Sequence, residues 1–166
     1  MSDKRIPGSL FFAILAAALV QGLRDFPRLP ERMASHFAAS GMPNGWMDKR
    51  QFFLLYAVVI LAAFFVEFRL ARSVAGNSGS KLNLPNKDYW LAPERRVHTA
   101  QKLQSFLVGF GNVTLLFLLL VFREAMQANL LPSPQLSNRI WVFLVLLGVW
   151  SIVGTVRLLR AFRLPD

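Results

Sequence analysis

Cysteine is absent from this chain, which excludes disulfides, a thiol nucleophile and every thiolate metal site, and leaves the redox compartment unread. Histidine is nearly absent, with only His36 and His98. Acidic side chains are scarce, 9 Asp+Glu against 19 Lys+Arg, for a formal net charge of +10. Paired-carboxylate chemistry and oxygen-rich metal sites therefore have few residues to draw on. Charge of either sign is missing from four long windows, residues 9–23, 51–66, 104–122 and 140–156.

Those windows set the fold class. Each approaches the length that crosses a hydrocarbon core of about 27–30 Å at about 1.5 Å per residue. With 54% hydrophobic residues and a mean hydropathy of +0.41, too little polar chain remains to cover four such segments in water. The expectation is an all-α integral membrane protein, one membrane domain over 1–166. Its four transmembrane helices lie at about 7–23, 51–67, 104–122 and 140–158, with a structured first loop over 24–50 and a loop over 68–103. Lys4 and Arg5 before the first window also suit a secretory signal, but the small-residue pattern falls at 16–18, inside the apolar run, so the segment reads as a retained helix.

In a soluble protein this positive charge would point to nucleic acid. Here every basic residue lies outside the windows, so the partner it indicates is the bilayer with its anionic headgroups, and no nucleic acid. Twelve Lys/Arg fall on the side shared by the N-terminus, the second loop and the C-terminus, and seven on the other. Both termini are therefore expected in the cytoplasm, with the first loop outside.

The second loop changes character along its length. Residues 74–81 are Gly/Ser/Asn-rich and read as a linker, whereas Asn86, Asp88, Tyr89 and Trp90 precede Pro93, Glu94, Arg95 and Arg96. Pro93 suits a first helical turn and Glu94 its positive dipole. Val97, Ala100, Leu103 and Leu107 then recur at helical spacing. This predicts an amphipathic interfacial helix leading into the third span.

The first loop carries three prolines (Pro27, Pro30, Pro43), Gly41, Gly45, His36 and Trp46. Prolines fix φ and glycines permit positive φ, so the path is prescribed rather than slack. Residues 41–46 read as consecutive turns, Asn44-Gly45 foremost, with Trp46 as an interfacial anchor and Lys49 and Arg50 placed to meet phosphates. His36 could act as a base, a ligand or a pH-sensitive contact, or could simply hydrogen-bond the loop. A metal site is not expected, because His98 falls across the membrane and only Asp25, Glu31 and Asp48 remain nearby. Asn112 and Thr114 suggest interhelical hydrogen bonds, and Glu67, at the end of the second window, suggests pairing with Arg69 or a functional acid.

Leu29-Pro30, His36-Phe37, Gly41, Pro43, Gly45-Trp46 and Lys49, set between two apolar helices, resemble the bacterial membrane family called domain of unknown function 1648. Residues 85–90 and 93–96 look like a segment that often follows in its short members. The resemblance implies a bacterial inner-membrane protein. Its best-understood relatives, SdpI-like immunity proteins, bring an immunity or signalling role within the family's range. This chain departs in having four spans and in carrying Asn44 where many members have Asp.

The function expected is a non-enzymatic membrane protein that recognises a ligand, peptide or lipid through its first loop, without a cofactor. Its candidate binding residues are His36, Gly41, Pro43, Asn44, Trp46, Lys49, Asn86, Asp88, Trp90, Glu94, Arg95 and Arg96. The alternatives are a small membrane enzyme using His36 with a loop carboxylate, and an accessory subunit of a membrane complex.

Overall fold

In a bilayer each backbone amide must be satisfied inside its own segment, and helices do this at every residue. The computed structural model describes residues 9–76 and 84–164 and has four long helices. These are α1 (Ser9–Asp25), α2 (Lys49–Gly76), α4 (Arg96–Ala128) and α5 (Arg139–Ala161). All four are long and apolar enough to cross a membrane, and the chain is a multi-pass membrane protein. Lys4, Arg5 and most of the expected linker, residues 77–81, lie outside the described residues; residues 74–76 belong to α2.

Two helices outrun their windows. At 28 and 33 residues, α2 and α4 are roughly 42 and 50 Å long, more than a hydrocarbon core of about 30 Å. Charge at 67, 69 and 72 does not end α2, because a charged side chain leaves the helix's backbone hydrogen bonding intact. The lead-in over 96–104 is continuous with the third span as a single helix rather than a separate element.

Helices α1, α2 and α4 pack together around Phe11, Ile14, Ala18, Phe52, Tyr56, Ile60, Phe64 and Leu115. Aromatic rings mesh edge to face here, Tyr56 against Phe122 at 4.9 Å and Phe11 against Phe64 at 6.3 Å. The Tyr56 hydroxyl donates to the Ala18 carbonyl at 2.7 Å and so ties α2 to α1. Helix α5 stands apart against α4, and none of its residues is buried. Asn112 does not bridge helices, whereas Thr114 also meets the Glu67 side chain of α2. Asn112 Nδ2 donates to Val108 O and Thr114 Oγ1 to Phe110 O, each four residues back in α4.

The first loop is a β-hairpin, β1 (Arg32–Phe37) antiparallel to β2 (Pro43–Asp48). The expected turn at Asn44-Gly45 is corrected: both residues lie within β2, and the reversal runs through 38–42. Tertiary pairing overrides the turn preference of that dipeptide. His36 pairs with Gly45, and the register shifts on either side of His36. In the second loop, a one-turn helix α3 (Lys87–Trp90) precedes α4.

Candidate functional site

The hairpin is stapled at its base. Asp25, fully buried at the end of α1, takes two bonds from Arg24 at 2.8 and 3.0 Å. Pro27 then sits in a single 3₁₀ turn, Phe26–Arg28, which turns the chain toward β1. Lys49 is buried, and its ammonium donates to the Leu29 carbonyl at 3.1 Å and pairs with Glu31 at 2.7 Å. It also lies 5.0 Å from the Phe26 ring centroid. The first residue of α2 thereby holds the segment that enters the hairpin, and its charge is taken up by Glu31.

A second clamp comes from the far end of α4. Asn129, its C-cap, accepts from Ala34 N at 2.7 Å and donates through Nδ2 to Ala34 O at 2.9 Å. The side-chain amide thus acts as one residue of an added strand along β1. Nδ2 also lies 2.8 Å from Ala125 O. Met33 and Ala34 are completely buried there.

The tip is held as well. Gly41 has φ of +82°, its carbonyl accepts from Leu136 N at 2.9 Å, and a Cβ would fall 2.7 Å from Leu136 O. Both the conformation and the close approach require glycine. Gly45 likewise passes His36 where a Cβ would sit 2.9 Å from the His36 Cβ. Three independent contacts therefore fix one hairpin path.

The outward side is polar and aromatic. Asn44, Trp46 and Asp48 alternate along β2 as exposed residues, joined by His36 and by Met42 at the tip. His36 Nδ1–H donates to Asn44 Oδ1. Trp46 is 45% exposed, so its ring is available for contact.

The other candidates lie at the opposite end of the bundle. Asn86, with left-handed φ of 53°, and Trp90 both donate to the Phe162 carbonyl, at 3.0 and 2.9 Å. Trp90 packs edge-on to the Phe162 ring at 5.5 Å, and Thr99 Oγ1 donates to Trp90 O at 2.9 Å. Arg95 donates to Tyr89 O at 2.8 Å and lies over that ring at 3.9 Å. Asn86 and Trp90 thus latch the end of α5, Arg95 braces Tyr89 next to them, and Asp88, Glu94 and Arg96 are exposed beside them. The twelve sequence candidates form two groups separated by the length of α4.

Glu67 does not close its helix, and no ion pair with Arg69 is present among the described residues. Its Oε2 is buried without a hydrogen-bond partner, as is Asn112 Oδ1. A Cβ on Gly111 would collide with Glu67 Oε2 and would lie 2.8 Å from the Phe11 ring, so glycine there leaves room for the carboxylate. Among the described residues, no group of three His, Asp or Glu could hold a metal. Asn129 was not foreseen, since its one sequence signal is an amide at a helix end, and its partner lies 95 positions away.

Residues 13–60, which run from α1 through the hairpin into α2, match the family model "Domain of unknown function (DUF1648)". No curated protein and no solved structure matches the chain significantly.

Proposed function

We propose that this multi-pass protein, which carries a DUF1648 segment over residues 13–60, is a non-enzymatic binding protein whose hairpin recognises a peptide or a lipid headgroup. The observation that carries the reading is the contrast between the two sides of the hairpin. Its inner residues are fixed by Lys49, Asn129 and Gly41, while His36, Asn44 and Trp46 are exposed. A surface fixed before contact loses little conformational entropy on binding, and an exposed indole beside polar groups is a common binding anchor. The setting proposed is a bacterial inner membrane with both termini cytoplasmic, supported by the twelve-to-seven distribution of basic residues. An immunity or signalling role belongs to this proposal through the family resemblance alone.

Two experiments test it. Cysteines introduced at Ser40 and Ser78 should be labelled from outside the cell at 40 and not at 78; the reverse overturns the orientation. A photoreactive phenylalanine analogue at Trp46 should yield a discrete peptide or lipid adduct in native cells, and the same analogue at exposed Arg139 should not. Adducts of equal yield from both positions, or none from Trp46, reject recognition by the hairpin. The enzyme alternative would gain support if His36→Ala abolished activity in the cell while the adduct at 46 persisted.

A further inference from the structure

A cavity of about 870 Å³ lies between α4 and α5. That is within the range of roughly 300–1,000 Å³ typical of small-molecule sites. Its walls are almost wholly apolar, with Phe106, Val113, Phe117, Leu147 and Trp150 along its length. Gly109 and Gly154 also line it, Gly154 where the Phe106 ring packs close to the backbone. On α4 the lining runs from Lys102 to Leu120, a rise of about 27 Å, which is the depth of a hydrocarbon core.

The polar lining is concentrated at one end. Lys102 and Ser105 on α4 face Arg157 on α5, while the opposite end closes on Leu120 and Phe143. No acidic residue lines the cavity, and neither Lys102 nor Arg157 takes part in an ion pair among the described residues. Lys102 has the Phe162 ring beneath it at 5.7 Å, a contact that leaves its charge uncompensated. Two cations at one mouth of a long apolar groove complement an amphiphile with an anionic head and a hydrocarbon tail.

We infer that the α4–α5 groove is a binding site for one anionic glycerophospholipid, with its phosphate between Lys102 and Arg157 and an acyl chain along the groove. The site is separate from the hairpin, at the other end of α4, and does not depend on what the hairpin binds. Helix α5 has no buried residues of its own, so the acyl chain supplies packing that its protein neighbours do not. Arg160 and Arg163, near the same helix end, are absent from the lining and serve as an internal comparison.

The test is native mass spectrometry of the full-length protein in detergent, titrated with phosphatidylglycerol and phosphatidylcholine of identical acyl chains. The wild type should hold a single phosphatidylglycerol and prefer it over phosphatidylcholine. Lys102→Gln with Arg157→Gln should weaken phosphatidylglycerol roughly 30-fold, at about a fivefold loss per basic residue, and should weaken phosphatidylcholine, whose choline offsets its phosphate, by much less. Arg160→Gln with Arg163→Gln should change it by less than about threefold. Should the double groove variant fail to fold, Arg157→Gln alone, at an exposed position, should still show a loss of roughly fivefold. Val113→Trp, which fills the groove and leaves both charges, should also remove the adduct. Equal binding of the two lipids overturns the site. So does an equal loss from the Arg160/Arg163 pair, which would mean unlocalised surface charge. A lipid-free dimer whose contacts map to the groove also overturns it and assigns the groove to a second copy.

Discussion

Replacing Asn129 with alanine removes the side chain that holds β1 to the end of α4. Ala34 N and Ala34 O, both on a residue with no exposure, then lose their partners at 2.7 and 2.9 Å. Each buried polar group left unsatisfied costs about 1–3 kcal/mol. Partial entry of water into the vacated space makes about 3 kcal/mol the working figure for the pair. At about 1.4 kcal/mol per tenfold, that is roughly a hundredfold increase in the population of open hairpin. Hydrogen exchange read by mass spectrometry over residues 32–48 should show this as a corresponding loss of protection, with smaller changes in mid-α2 and mid-α4. Asn129→Asp separates bonding from volume. It keeps the size and the acceptor for Ala34 N, but sets a carboxylate against the Ala34 and Ala125 carbonyls. It should therefore destabilise the hairpin at least as much as alanine does. Wild-type exchange in both variants would refute the clamp and leave the hairpin held by its own pairing.

Four further substitutions probe the remaining fastenings. Gly41→Ala should cost about 1–2 kcal/mol from its positive φ alone, plus displacement of Leu136, and should lower the melting temperature in detergent. Lys49→Met, which keeps the apolar stem, should cost about 1–3 kcal/mol in chemical unfolding through the Leu29 carbonyl it abandons. Glu31→Gln, on an exposed partner, should cost at most about 1 kcal/mol; an equal effect from both would make the ion pair the stabilising element. Trp90→Phe retains the ring contact with Phe162 but loses the indole donor, so the last turn of α5 should exchange faster by about 1 kcal/mol of local stability.

The membrane class was legible in the chain because it depends on local composition. Charge-free runs long enough to span a bilayer can satisfy their backbone only as helices, whatever surrounds them. The expectation of a prescribed path for the first loop also came from local chemistry, since Pro27, Pro30, Gly41 and Gly45 restrict or widen φ residue by residue. What the loop becomes was not legible, because a strand is defined by its partner: Asn44-Gly45 has turn chemistry, yet it pairs with the strand that holds His36. Lys49 next to a membrane helix looks like a phosphate ligand until the fold brings Leu29 and Glu31 to its ammonium. Trp90 looks like an interfacial anchor until Phe162 arrives 72 positions later in the chain. Composition and backbone restriction act within a few residues and were settled by the sequence alone. Which polar groups stay exposed to a ligand, and which are taken up in holding the bundle, depends on contacts between distant segments, and only the tertiary structure decided it.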